Sequence, residues 1–263
     1  MAEPGYIYDQ AWHAERERLA GIEVLWDPGT ARHCEALGVA EGWRCLEVGA
    51  GGGAVVEWLA ERVGPRGRVV ATDLDTRFLD ALDATNVEVH SHDVLAEAPF
   101  EPGFDLVHAR LLLEHIPRRQ EALERMAGWV TPGGWLLVED YDWPGAGVDP
   151  PSQTYEAVLT AVLAFMSEAA GFDPEYGRRL PNALRRLGLE EIGAEGRIRF
   201  LRVDAPGIDF FRLSLEALRG PLVAQGRLTE ASVEEALALF ERDDLALRTP
   251  ALIAAWGRAP AAE

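Results

Sequence analysis

Residues 44–54, Arg44-Cys45-Leu46-Glu47-Val48-Gly49-Ala50-Gly51-Gly52-Gly53-Ala54, constrain the fold more than any other stretch of the 263-residue chain. The apolar half is a short buried strand, and the glycines allow a tight turn in which backbone approaches a ligand with no Cβ in the way. Val55, Leu59 and Val63 then recur at helical spacing until Gly64-Pro65 stops the helix. A strand, a glycine turn and a helix in this order make a nucleotide-cofactor site. Gly49 to Ala54 also satisfies the G-x-G-x-x-A dinucleotide pattern, so the motif alone leaves the nucleotide open.

Charge and composition remove several classes of function. Twenty-five basic residues against 44 acidic ones give a net charge of −19, which repels a phosphate backbone, and the short arginine pairs mixed with acids form no basic groove. All 25 basic residues are arginine, which excludes a Walker A lysine, a pyridoxal-phosphate Schiff base and any lysine nucleophile. Cys34 and Cys45 make no C-x-x-C pair, and His90 and His92 stand two apart without a further ligand cluster, so neither a disulfide nor a metal site is expected. Residues 1–25 carry charges throughout and no continuous apolar run, so neither a signal peptide nor a membrane span is expected, and the protein would be cytoplasmic.

Strand and helix patterns alternate through the first half. A helix capped by Asp9 would run to about Leu25, with Pro28-Gly29-Thr30 breaking the chain before a second short helix. Arg68 to Asp73 is a second strand, ending in an acid 24 residues beyond Gly49, where nucleotide folds place a ribose-binding carboxylate. Asp75 to Ala84 predicts a helix with Phe78, Leu79 and Leu82 inward, and Asn86 to His90 a third strand. Phe104 to Ala109 is a fourth strand, a helix follows near Arg118 to Val130, and Pro132-Gly133-Gly134 turns into a fifth strand, Trp135 to Asp140. The alternation predicts an α/β fold with a seven-stranded, mostly parallel sheet and helices on both faces, ligands gathering at the carboxyl ends of the strands.

The second half keeps a different rhythm. Ser152 to Ala170 and Glu175 to Leu187 are helical, Ile192 to Val203 a sixth strand, Ile208 to Leu218 and Thr229 to Arg242 helical again, and Ala251 to Gly257 a last strand. The last two strands would add an antiparallel edge. Residues 1–263 therefore form one domain: a helical lid (1–40), a cofactor-binding core (41–142), helical cap segments (143–190 and 205–248) and the last two strands (191–204 and 249–258).

Glu47-x-Gly49-x-Gly51-x-Gly53, Asp73, His92-Asp93, Phe104-Asp105-Leu106-Val107 leading to Leu113-Glu114-His115-Ile116-Pro117, and the Pro132-Gly133-Gly134 turn fall in an order that resembles the class I S-adenosylmethionine-dependent methyltransferases. The resemblance covers about residues 40–142 and implies a Rossmann-like core; the termini look most like bacterial small-molecule members of the family. It implies that Glu47 anchors the cofactor's ammonium end, that the backbone at Gly49, Ala50, Gly51 and Gly53 approaches the cofactor, and that Asp73 accepts the ribose hydroxyls. Leu74 would pack on the adenine and Asp93 accept its amine, with Val94 and Ala109 as further contacts and Arg18 as the carboxylate clamp. Each acid has a plainer reading as a strand-end turn residue, and Arg18 as part of a solvated helix face.

For the transfer itself, His115 is a candidate general base because an imidazole titrates near neutrality; its plainer role is to order the loop beneath the cofactor. Asp140 would orient an amine or hydroxyl. Tyr8, Trp12, Tyr141, Trp143 and Phe210 are candidate walls for a small, partly aromatic acceptor of natural-product type, methylated on oxygen, nitrogen or carbon. Two alternatives share the glycine loop: a nicotinamide-dependent oxidoreductase, which Glu47 in the strand and the missing Tyr-x-x-x-Lys oppose, and a protein that uses S-adenosylmethionine without transferring its methyl. The N-terminal helices offer a surface for a homodimer.

Overall fold

The computed structural model describes residues 13–262, in which the apolar runs of the first half become α1 (Glu15–Ala36), β1 (Arg44–Val48), α2 (Ala54–Val63), β2 (Arg68–Asp73), β3 (Val87–Ser91), β4 (Phe104–Arg110), α3 (Arg119–Trp129) and β5 (Val130–Asp142). The second half adds β6 (Gly147–Asp149), α4 (Gln153–Ala170), α5 (Leu180–Arg186), β7 (Glu190–Arg197), β8 (Phe200–Leu201), α6 (Ile208–Ala224), α7 (Glu230–Leu239), β9 (Ala246–Arg248) and β10 (Ala251–Arg258). Seven strands form one sheet in the order β3-β2-β1-β4-β5-β10-β7. The first five are mutually parallel, and β10 is antiparallel to both β5 and β7. The antiparallel strand at this margin is thus the last in the chain, inserted between β5 and β7. This is the Rossmann-like arrangement.

Period-two alternation divides the core. Cys45, Leu106 and Leu137 pack with Val56, Leu59 and Val63 of α2 on one face. Leu46, Val107, Leu136 and Val138 pack with Leu123 and Met126 of α3 and Leu180 and Leu184 of α5 on the other. Above the carboxyl ends of the strands, Leu25 and Trp26 of α1 join Tyr141, Tyr155, Phe210 and Phe211 in a third cluster, which attaches the helical cap to the sheet.

Several elements depart from the sequence patterns. Helix α1 runs unbroken through Pro28 and Gly29. Proline removes one helical hydrogen bond there, but tertiary contacts hold the segment. Trp26 Nε1 donates to the Tyr141 hydroxyl at 2.7 Å, and Thr30 is bonded to both the Trp26 carbonyl and the Glu139 carboxylate. A Cβ on Gly29 would collide with the Arg197 guanidinium. Residues 75–84 form turns, not a helix. The Asp73 and Asp75 carboxylates accept the backbone N–H groups of Asp75 and Arg77, a local alternative to helical bonding. Pro132-Gly133-Gly134 lies inside β5, where the pairing with β4 shifts register, and not before it. The sixth-strand pattern divides between β7 and β8, and the latter belongs to a separate antiparallel sheet, β6-β9-β8. Its strands of two or three residues are too short for alternation to be read.

The predicted N-cap Asp9 and the candidate walls Tyr8 and Trp12 lie outside the described residues. Among the described residues no helix is long and apolar enough to cross a membrane.

Trp26, 1% exposed, joins α1 to β5 by packing and by its bond to Tyr141. Truncation to alanine leaves a cavity and removes the bond to the Tyr141 hydroxyl, for an expected loss of about 3–5 kcal/mol in urea unfolding. Trp26→Phe, which keeps most of the packing, should cost about 1 kcal/mol for the hydrogen bond alone plus a smaller packing term.

Candidate functional site

The strand order reverses between β1 and β4, and in parallel sheets such a reversal opens a crevice at the carboxyl ends of the strands. A cavity of about 370 Å³ lies there, within the range of small-molecule sites. Its floor is the turn after β1. Gly49 (φ 76°) and Gly51 (φ 54°) both occupy the left-handed region that side chains rarely adopt. A Cβ on Gly49 would also stand 3.1 Å from a Leu112 methyl.

This turn holds the acid at the end of β2. Asp73 Oδ2 accepts the Gly51 N–H at 2.9 Å and Oδ1 the Asp75 N–H at 3.1 Å. Burial raises its pKa, and the two N–H groups oppose the rise. Leu74, 55% exposed, lines the same cleft as an apolar surface left open to solvent. The exposed Asp93 and the buried Val94 line that end too; Asp93 Oδ1 accepts the Leu95 N–H at 2.9 Å. Glu47 and Ala50 complete the floor.

Helix α1 supplies the opposite wall. Arg18 and Glu15 line it as a buried bidentate pair, Nε to Oε2 at 2.8 Å and Nη2 to Oε1 at 2.7 Å, so the guanidinium meets a carboxylate of its own helix instead of a solvated face. Glu23 reaches the glycine turn: a Cβ on Gly52 would lie 2.1 Å from its Oε1. Toward the cap the cleft continues past His115, Tyr141, Trp143 and Phe210, with Met166 and Phe172 as further walls.

Three expected site residues do not line the cleft. Gly53 lies behind the loop as the N-cap of α2, and Ala109 is fully buried within β4. Asp140 is fully buried because alternation along β5 sends Glu139 and Tyr141 to the α1 face and Asp140 to the other. Among the described residues its carboxylate oxygens meet no partner in full hydrogen-bond geometry, and burial pushes its pKa up to about 8 against the opposing backbone N–H groups of residues 112–114. The neighbouring Glu114, which lines the cleft and accepts the Tyr141 N–H at 3.2 Å, is raised well above the usual range by burial and then by Asp140. His115 moves the other way. Burial, then the Arg18 and Arg119 cations, lower it to about 3, so the ring is neutral across the physiological range.

Beneath Glu47 lies a set of charges that motif spacing did not reveal. His108 is the register partner of Glu47 across the β1–β4 pair, and its Nδ1 meets Glu47 Oε2 at 2.6 Å. Its Nε2 faces Glu139 Oε2 at 3.4 Å, and Glu139 also accepts from Arg197 at 2.6 Å. Arg110, another residue of the cleft, donates to Thr30 at 2.9 Å and Asp27 at 2.6 Å on α1. Burial disfavours a charged His108, but Glu47 and Glu139 overcome it and hold the ring up to about 9. Burial likewise opposes the Glu139 charge, yet His108, Arg110 and Arg197 bring it down to about 2. Glu47 is raised by burial, with His108 pulling against it. The available signal was Glu47, His108 with Arg110, and Glu139 set among the apolar residues of β1, β4 and β5, since a polar residue in a buried strand is the informative exception.

S-adenosylmethionine carries a cation, a zwitterionic amino acid and a ribose but no phosphate. The carboxylates of Glu47, Asp73 and Asp93, the glycine backbone and the open face of Leu74 fit those groups. Among the described residues no group of three or more His, Cys, Asp or Glu side chains is arranged to hold a metal ion.

A family model described as a methyltransferase domain matches residues 46–136. Methyltransferase str2 of Strobilurus tenacellus is 39% identical over 142 residues, 52% of this chain and 50% of that protein. With str3 of the same organism, where 57% of the relative is covered, the chain spans little more than half the length of these two relatives. The ubiquinone/menaquinone biosynthesis C-methyltransferase UbiE of Pseudomonas paraeruginosa is 29% identical over 215 residues, 79% of each chain. Among solved structures, Haemonchus contortus phosphoethanolamine N-methyltransferase 2 in complex with S-adenosyl-L-methionine shares the fold at TM-score 0.60 and 16% identity, covering 96% of this chain and 59% of that one. A methyltransferase from an antibiotic biosynthesis pathway of Anabaena variabilis does so at TM-score 0.60 and 14% identity, over 88% and 96% of the two chains. The ordered motifs, the sheet and these matches agree in what the chain is similar to: S-adenosylmethionine-dependent methyltransferases, through a methyltransferase domain at residues 46–136 and a shared fold.

Proposed function

We propose that this chain binds S-adenosylmethionine in the cleft between β1, β4 and α1 and transfers its methyl group to a small, partly aromatic acceptor held under the helical cap. The observation that carries this reading is the glycine turn itself. Its Gly51 N–H fixes the Asp73 carboxylate at the β2 end, where a ribose diol is the group two carboxylate oxygens can take. Glu47, held by His108, would face the ammonium, Leu74 the adenine and Asp93 its amine. Arg18 would face the amino-acid carboxylate, in exchange with Glu15. The dinucleotide reading loses ground here, since acids line the loop where a pyrophosphate would sit.

When bound, the cofactor supplies a methyl group already activated on a sulfonium. The chain's own contribution is to orient the acceptor and keep water out. Tyr141, Trp143, Phe172 and Phe210 provide the apolar enclosure, and the ring of His115, neutral at working pH, would accept a hydrogen bond from an acceptor hydroxyl or amine. With its acidity near 3, His115 orients better than it removes a proton. Asp140, off the cleft and driven toward its acid form by burial, would act through Glu114.

Asp73→Ala removes two charge-assisted hydrogen bonds' worth of partner for the ribose. Calorimetry should show S-adenosylmethionine binding weakened about ten- to a hundredfold, while unchanged binding would overturn the site map. Wild-type protein incubated with a panel of phenols, aromatic amines and indoles should form S-adenosylhomocysteine and a product 14 mass units heavier, about one methylene, by mass spectrometry. Stronger thermal stabilisation by NAD than by S-adenosylmethionine would favour the oxidoreductase instead. For His115, whose folded pKa lies below the ordinary 6.5, the ring nitrogens should keep the NMR shifts of neutral imidazole from pH 8 down to about 4. Titration near 6.5 would return it to the role of general base.

A further inference from the structure

We propose that His108 is a positioning residue of the cofactor site: as an imidazolium clamped between Glu47 and Glu139 it holds the Glu47 carboxylate at the cleft floor and ties it to helix α1, the opposite wall. This rests on the cofactor reading of the cleft.

The geometry is specific. His108 is fully buried, with Nδ1 2.6 Å from Glu47 Oε2 and Nε2 3.4 Å from Glu139 Oε2. A neutral ring has one N–H and one lone pair, so either tautomer would turn the lone pair toward a carboxylate. Only the imidazolium donates on both sides. The charges around it count the same way. Asp27, Glu47 and Glu139 are three carboxylates, and Arg110 and Arg197 are two guanidinium partners bonded to the same set, so a protonated His108 brings it to neutrality. Other titratable groups packed here are the buried thiols of Cys34 and Cys45, both pushed up by burial and hence uncharged, and His33, lowered by burial and neutral, while Arg32 with Glu195 and Arg16 with Glu23 are ion pairs at the margin that balance themselves.

The network has two ends in the cleft. Glu47 lies on the floor. Glu139 accepts from Thr30, and Arg110 binds Thr30 and Asp27, so the same bonds seat the helix that brings Arg18, Leu19 and Glu23 to the cavity. Burial without His108 would drive Glu47 toward its protonated form, which offers a cationic ammonium far less. His108 thereby decides both the charge and the aim of the acid that meets the cofactor.

The test uses the 263-residue chain with S-adenosylmethionine as the probe. His108→Asn should weaken binding about tenfold at pH 7 and make it pH-dependent, affinity recovering as pH rises and Glu47 ionises, where the wild type stays flat between pH 6 and 8. Glu47→Gln should lose a similar factor at every pH, and adding His108→Asn to it should cost little more. Fully additive losses, or a pH-independent loss in His108→Asn, would overturn the proposal and leave His108 a structural residue. Wild-type protein that fails to bind S-adenosylmethionine would overturn the cofactor reading and this proposal with it. Should His108→Asn not fold, ¹⁵N NMR of wild-type histidines decides: two protonated ring nitrogens on His108 at pH 7 are expected, and a neutral ring overturns the proposal.

Discussion

Glu47, His108, Glu139, Arg110, Arg197 and Asp27 meet between the sheet and α1, and the shape of the site answers to their mutual neutralisation. Removing an ion from water costs several kcal/mol, and losing one partner of a buried pair typically costs 3–5 kcal/mol because the other charge is stranded. Strands from β1, β4 and β5, the far strand β7 and the lid helix α1 must all be in register before the set closes. The network therefore works as a check on assembly as much as a source of stability. It also explains why α1 survives a proline and a glycine in its interior: Thr30 and Asp27, on either side of that pair, are bonded into the set.

Around this centre the cleft divides by chemistry. Near β2 and β3 stand carboxylates and an open leucine face. Toward the cap the walls turn aromatic, and the ionisable groups lose their charge: Glu114 and Asp140 are driven toward the acid form and His115 toward the base. The cleft therefore runs from a charged end at the glycine turn to an apolar end under the cap. Arg18 and Glu15 stand at the boundary as a buried pair on one helix turn.

The residues that meet at the floor of the cleft were legible because each feature is local. The glycine turn, the acid closing β2 and the His92-Asp93 step after β3 are read from a few adjacent residues, and the cleft brings Glu47, Asp73, Leu74 and Asp93 together as their order implies. Residues 75–84 misled the periodicity because two aspartates bond backbone N–H groups in competition with a helix. Asp140 misled it because one step along a strand turns a side chain to the other face of the sheet. His108, Arg110 and Glu139 left only a faint trace, polar residues set among the apolar ones of β4 and β5, with nothing in the spacing to say that they would meet one another.

What the sequence determined by itself is the parallel α/β sheet, the glycine turn and the acids at the strand ends, since turn chemistry and strand alternation act over a few residues. Only the tertiary structure decided that α1 is one continuous helix, that β10 enters between β5 and β7, and that residues as far apart as Thr30 and Glu139 or Glu47 and His108 share a buried charge network. The physical reason is that burial and electrostatic neutralisation depend on distance in space, and distance in space is set by how the elements pack.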